Sequence, residues 1–184
     1  MAEYVALLRA INVGAKNRIT MEELRRIFLS LGTKSVTTYL QSGNVRFEVA
    51  SAGRAAIKRD LEGALSRRFK GEMTAVLRTP EELREVVEDS PFMRRIPRGA
   101  SPYVTFLERA VKFEGPTVSP RKDIEVIHAR PGEIFCVGRL VKGRSGNPNA
   151  FIEKQLHTKA TTRNWKVTKA LAAGGSNASR SSKS

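Results

Sequence analysis

Five consecutive residues near the C-terminus, Thr161-Thr162-Arg163-Asn164-Trp165, place hydroxyls, a guanidinium, a carboxamide and the only indole in one short stretch. A threonine ahead of a helical pattern reads as an N-cap, and the free amides of a helix N-terminus beside an arginine suit an anion. Thr161, Thr162 and Arg163, with Lys166 just beyond, are therefore candidates for holding phosphate or carboxylate. Trp165 reads first as burial, because large aromatics carry core area. A second cationic stretch, Gly143-Arg144-Ser145-Gly146-Asn147-Pro148, leads into another helical pattern. Counted from Gly138, its spacing imitates a phosphate loop, but arginine stands in place of the lysine and Leu140-Val141 fits no amide cradle. Nucleoside-triphosphate hydrolysis is rejected. Anion binding by Arg144 and Ser145 is retained, against the plain alternative of a turn with a charged tip.

A third group lies at the other end of the chain. Arg9 interrupts an apolar run, with Asn12, Lys16 and Asn17 after it, and Gln41 and Asn44 occupy a tight connection between two strand patterns. A cation in a buried strand needs a partner or a cleft. Glu48 or a C-terminal carboxylate is the expected partner, slightly ahead of a ligand, and the six residues together form a candidate pocket. Turn chemistry alone accounts for Ser42, Gly43 and Asn44. Other signatures fail. Cys136 sits among Ile134, Phe135 and Val137 as an inert core thiol. Two histidines, His128 and His157, give no metal-ligand spacing. No catalytic residue, metal or cofactor is expected, and an enzyme is the less favoured reading.

Charge supplies the remaining signal. The chain of 184 residues carries a net charge of +15, and residues 134–184 hold ten Lys/Arg against one acid, Glu153. Residues 1–133 are mixed, with 23 basic and 17 acidic side chains. Such lopsidedness points to a polyanion, nucleic acid foremost, against the plain reading of charge for solubility. No apolar run approaches the ~20 residues that span a bilayer, so no membrane partner is expected. The N-terminus enters a strand pattern without a signal segment, and one cysteine excludes an internal disulfide, so a reduced, cytoplasmic protein is expected.

The elements that must position these groups are legible as patterns. Residues 3–11 read as a buried strand, and Thr20-Met21-Glu22-Glu23 as a capping box opening a helix that Gly32 stops. Strands at 35–40 and 45–49, a helix at 54–69 and a strand at 73–77 complete a β-α-β-β-α-β order, the split pattern of a ferredoxin-like unit. Thr79-Pro80 opens a further helix that ends near Ser90-Pro91. Residues 93–102 read as a linker. Beyond them come a strand at 103–107, a proline-broken segment at 116–122, and a hairpin of 124–128 and 134–137 turning at Pro131-Gly132. Asn147-Pro148 then caps a helix to about Leu156, and the last helix starts at Thr161 or Thr162. This predicts an α+β protein: a first subdomain at 1–92, a linker at 93–102, a related second one at 103–173 without a clear closing strand, and a disordered tail at 174–184.

Four stretches together resemble one family. They are Tyr4-Val5-Ala6-Leu7-Leu8-Arg9-Ala10-Ile11-Asn12-Val13-Gly14, Thr38-Tyr39-Leu40-Gln41-Ser42-Gly43-Asn44-Val45, Ser90-Pro91-Phe92, and Ala160-Thr161-Thr162-Arg163-Asn164-Trp165. The set is similar to the domain-of-unknown-function family 1697, over about residues 3–173. The resemblance implies duplicated ferredoxin-like subdomains and carries over no function or catalytic residue. The chain departs from the family's usual pattern in three places. Ala10 and Ala15 stand where glycine is common, Gly146 where a lysine usually follows Arg144-Ser145, and Lys166-Val167-Thr168 replaces a more typical polar-Thr-Val order.

The expected function is a non-enzymatic module binding anions or the nucleic-acid backbone through Arg144, Lys159, Arg163, Lys166 and Lys169. One alternative is a small-molecule enzyme or sensor with a pocket between the two subdomains, using Arg9, Asn12, Asn17 and Arg163. The other is a protein-interaction adaptor. Base stacking of the RNA-recognition-motif type is not expected, since Gly43-Asn44-Val45-Arg46-Phe47 lacks the aromatic spacing.

Overall fold

In this structure, a computed structural model of the protein, residues 1–14, 17–50, 53–94, 96–115 and 117–175 are described. The fold is mixed α+β, and the chain divides into two compact units, Met1–Pro80 with Ala173–Ser184, and Glu81–Ala172. Of the tail expected to be disordered, residues 176–184 lie outside the described residues.

The first unit opens with β1 (Ala2–Leu8). It ends before Ile11, the predicted limit, because Ala10 and Asn12 take φ of +57° and +54°, left-handed values that turn the chain out of the regular extended conformation. The helix α1 (Met21–Ser30) starts where Thr20 Oγ1 accepts from Glu23 N at 3.1 Å. The second half of the predicted capping box does not form, since the Glu23 carboxylate pairs with Arg68. Next come β2 (Lys34–Tyr39), β3 (Asn44–Val49), α2 (Arg54–Phe69) and β4 (Ala75–Arg78). The four strands form an antiparallel sheet in the order β2-β3-β1-β4. Alternation along β1 sends Tyr4, Ala6 and Leu8 toward the helices, where they pack with Phe47, Leu24, Phe28, Ile57, Leu61 and Leu65. The Phe28 and Phe47 rings meet edge to face at 5.1 Å, and each such buried side chain contributes about 1.5–3 kcal/mol. Val5, Leu7 and Val76 point to the opposite face and are buried as well. This sheet therefore has no open face on which bases could stack.

The second unit begins with α3 (Pro80–Glu88) and a short 3-10 turn, Pro91–Met93, capped by Ser90 Oγ. The helix predicted to close the first subdomain thus groups with the second, and the expected linker is cut short by β5 (Ser101–Leu107). After it come β6 (Ile124–Ala129), β7 (Glu133–Gly138), the hairpin β8 (Leu140–Val141) and β9 (Arg144–Ser145), α4 (Pro148–Leu156), β10 (Ala160–Asn164) and α5 (Trp165–Ala172). The main sheet is antiparallel in the order β10-β5-β7-β6. In both sheets the first strand in sequence lies between the third and the last. Among the described residues no helix joins β5 to β6, a stretch where Pro116 and Pro120 remove backbone donors.

One prediction is overturned here. Residues 160–164 are the closing strand that the sequence pattern lacked, and the last helix starts at Trp165. The threonines are strand residues, as β-branched side chains favour. Ala160 packs with Ile152 and Leu156, and Thr162 Oγ1 meets Thr105 Oγ1 at 2.8 Å. The cap of α5 is Asn164, whose Oδ1 accepts from Val167 N at 2.8 Å. Trp165 is buried, with its ring 5.6 Å from that of Phe92.

Candidate functional site

One end of the second sheet carries Arg144, Ser145 and Lys166 from among the residues that the sequence singles out. There Gly138, the last residue of β7, pairs with Ser101 at the start of β5 and Ile124 at the start of β6, while Asn164 at the end of β10 pairs with Tyr103. Just beyond Gly138 the chain turns into the β8–β9 hairpin, with Leu140 opposite Ser145 and Val141 opposite Arg144. Its tip, Lys142-Gly143, has φ of +51° and +72°, the pair of left-handed residues that a two-residue type I′ turn requires. Asparagine or glycine usually takes the first of those positions, and here it is a lysine.

The hairpin is cationic at its tip and neutralised at its root. Arg121, Val141, Lys142 and Arg144 line a concavity of about 560 Å³. Lys142 and Arg144 are exposed and make no ion pair among the described residues. Arg121 lies 3.4 Å from the buried Asp123 carboxylate, which also accepts from Ser119 Oγ at 2.8 Å. At the root, Arg139 pairs with Glu125 at 2.6 Å. Ser145 is exposed, but its hydroxyl is directed to the neighbouring Gly146 carbonyl at 3.2 Å. Gly146 is steric in origin: a Cβ there would stand 2.8 Å from Asp123 Cγ and from two Ile124 carbons. The lysine common at this position in the resembled family has no room in this packing.

A second concavity, about 370 Å³, lies at the same end of the sheet between β5, β10 and α5. Ser101, Tyr103, Asn164, Trp165, Lys166 and Lys169 line it. Lys169 Nζ rests 5.7 Å from the centre of the Trp165 ring, a cation-π distance. Neither Lys166 nor Lys169 makes an ion pair among the described residues.

The sequence-predicted anion residues separate by burial. Arg144, Ser145 and Lys166 are exposed. Thr161 and Arg163 are 3% and 7% exposed, and Arg163 Nη1 donates to Thr161 Oγ1 at 2.7 Å and to the Thr162 carbonyl at 2.9 Å. Burial alone pulls the Arg163 guanidinium down to about 10. Thr162 spends its hydroxyl on Thr105 and Asn149. These three do not form an open helix N-terminus, because the strand carries them inside.

The pocket candidates of the first unit come together at the end of β1, where they hold backbone. Asn12 Nδ2 donates to the carbonyls of Ile19 and Gln41 at 3.0 and 2.9 Å, and its Oδ1 accepts from Ile19 N at 2.9 Å. Asn17 Nδ2 donates to the Ala10 carbonyl at 3.1 Å, and Asn44 Nδ2 to that of Tyr39 at 2.9 Å. Gln41 is exposed and Arg9 half-buried just past the strand. Glu48, the partner expected for Arg9, lies opposite Glu3 at the far end of β1 and accepts from Ser35. Lys16 lies outside the described residues. Gly43 is required by close approach, since a Cβ on its left-handed backbone would meet Leu8 Cβ at 2.9 Å.

Burial pushes the Cys136 thiol up to about 12, offset in part by a hydrogen bond with Thr105. Among the described residues no group of His, Cys, Asp and Glu could hold a metal ion, and no helix is long and apolar enough to cross a membrane. The groove around Tyr103 and Lys169 escapes sequence reasoning, because Tyr103 and Lys169 are 66 residues apart and only the β5–β10 pairing joins its walls.

The chain is similar in structure to a conserved bacterial protein, SP0830 from Streptococcus pneumoniae, with a TM-score of 0.66 at 21% identity. The match covers 93% of this chain and 97% of that one, and at such identity it bears on the fold alone. No curated protein matches the sequence. The family model described as "Protein of unknown function (DUF1697)" matches residues 1–135. The Ala160–Trp165 stretch lies beyond that match, so the family signal comes from the earlier motifs.

Proposed function

The chain belongs to the DUF1697 family of proteins of unknown function, and we propose that it is a non-enzymatic module that binds polyanions, nucleic acid above all, by their backbone phosphates. The observation that carries this reading is the concavity ringed by Arg121, Lys142 and Arg144, two of which have no acid partner among the described residues. A lysine or arginine whose charge is not spent internally releases counterions when it meets a phosphate, which is the main source of non-specific nucleic-acid affinity. The binding set is Lys142, Arg144, Ser145, Lys166 and Lys169, with Arg121 shared between Asp123 and the ligand. Arg163, Thr161 and Thr162 support it from within. Phosphate contacts without base-edge readout make the binding nearly independent of sequence.

The same reading takes the two units as duplicated ferredoxin-like folds. The shared strand order supports it, although among the described residues the second unit has no helix where the first has α1. A reducing, cytoplasmic setting belongs to it too, since the lone cysteine gives the chain no disulfide of its own. The test is fluorescence anisotropy with labelled DNA at low salt, with wild type beside the double variant Lys142→Gln/Arg144→Gln. The expected result is binding that a high-salt wash reverses and that the double variant weakens at least tenfold. Absence of salt-sensitive binding to both duplex and single strand overturns the proposal.

A further inference from the structure

Resting on that reading, we infer that the partner is single-stranded nucleic acid, and that one of its bases enters the groove walled by Tyr103 and Trp165. A low strip of residues joins the two cationic concavities. On the face of the second sheet that packs α4, a Cβ built on Gly146 would touch Ile124, one built on Gly138 would lie 3.6 Å from the same Ile124, and 3.1 Å from Tyr103 Cε2. Gly146, Ile124, Gly138 and Tyr103 are thus contiguous, and they lead from the base of the hairpin to the aromatic groove. Two of the four have no side chain, and Ile124 is buried, so this strip stays low between cations on either side. Ile124 on β6, Gly138 on β7 and Tyr103 on β5 stand on successive strands ~4.8 Å apart.

That layout fits one class of ligand better than its rivals. A small anion would need a single site, whereas Lys142 and Arg144 stand at one end of the strip and Lys166 and Lys169 at the other. A duplex keeps its bases stacked inside and has no use for an aromatic wall at the bottom of a groove. A single strand carries phosphates at intervals and bases free to leave the backbone, and proteins that hold it combine a basic track with aromatic side chains. Tyr103 is the stacking residue in this arrangement. It is half-buried, lies against Gly138, and lines the groove, whereas Trp165 is nearly closed off and has Lys169 over its ring. Lys166 and Lys169 then take the phosphates flanking that base.

The test compares three labelled probes on the full-length protein: a twelve-nucleotide oligothymidine, an abasic strand with the same phosphates, and the matching duplex. The expected result is that the oligothymidine binds roughly 5- to 150-fold tighter than the abasic strand, the worth of one stacked base. Fluorescence of Trp165, the only tryptophan, changes with the oligothymidine and not with the abasic strand. Tyr103→Leu, which keeps an apolar side chain over Gly138, removes the difference between those two probes, while Lys142→Gln/Arg144→Gln weakens both alike. Equal binding of intact and abasic strands, or tighter binding of the duplex, overturns this inference and leaves the polyanion reading standing. Loss of all salt-dependent binding overturns both.

Discussion

The dependence of binding on salt is the sharpest prediction, because the structure supplies the number of charges that enter it. Four cations at the end of the second sheet make no ion pair among the described residues: Lys142, Arg144, Lys166 and Lys169. If each neutralises one phosphate of a single strand, log Kobs falls against log salt with a slope of about −2.8, from roughly −0.7 per contact. Raising salt from about 50 to 200 mM then weakens binding about 50-fold. The double variant Lys142→Gln/Arg144→Gln removes two of the contacts, so its slope drops to about −1.4 and the same change in salt costs about sevenfold. The assay is anisotropy of a labelled oligonucleotide at several salt concentrations, with circular dichroism confirming that the variant stays folded. Arg26→Gln is the control, because Arg26 is paired with Glu22 on the first unit and its loss leaves the slope unchanged. A wild-type slope shallower than about −1, or a double variant that keeps the full slope, refutes the assignment of these cations as the phosphate track.

Further outcomes follow from local geometry. Gly146→Ala forces a methyl against Asp123 and Ile124; overpacking costs about 1–3 kcal/mol, which thermal denaturation reads as a melting point lower by roughly 2–12 °C. Ala10→Gly does the reverse. Ala10 sits at φ +57°, and relief of about 1–2 kcal/mol of left-handed strain exceeds the added chain entropy of about 0.4–1 kcal/mol, so the melting point rises by a degree or two. Arg163→Met leaves the salt slope of binding untouched while changing stability, since the guanidinium is buried and bonded to Thr161 and the Thr162 carbonyl; a reduced slope would return Arg163 to the binding set. Cys136 stays a thiol up to about pH 12 when folded, against an ordinary value of 9.0. The unfolded chain therefore loses its proton first, and the stability this group contributes is present below pH 9 and fades as pH climbs toward 12. Alkylation of the native protein at pH 8 is accordingly slow and becomes fast in denaturant.

How much of the fold is legible in the sequence depends on whether the signal is local. Thr20 and Asn147 each precede a helix, and each side chain accepts a backbone hydrogen bond as a cap should. The helix at Arg54–Phe69 and the hairpin around Pro131-Gly132 follow from periodicity and turn chemistry in the same way. The half of the capping box that fails, Glu23 on the Thr20 amide, fails because Arg68 arrives from a distant helix and offers a full positive charge. No window of sequence around Glu23 contains that information. Backbone bonding has the same effect at Asn12, Asn17 and Asn44: their residue types mark the loop correctly, but the amides are spent on carbonyls, leaving less for a ligand.

The Thr161–Asn164 stretch is the instructive failure, since two local rules compete there. Threonine before an apolar periodic run is a cap signal, yet two adjacent threonines and an arginine are equally a short strand. Pairing with β5 decides between them, as Thr162 opposite Thr105 and Arg163 opposite Val104 satisfy the edge of a sheet whose other three strands are already in place. Once the strand forms, alternation sends Thr161 and Arg163 to one face, inside, and shifts the cap by two or three residues to Asn164. The open helix N-terminus expected at Thr161 is therefore not formed there. What faces outward at the start of α5 is Lys166, followed one turn later by Lys169. The lysines of this region thus reach the surface on a helix face that only the strand pairing sets, so local motif reading misplaces the exposed charge by a few residues.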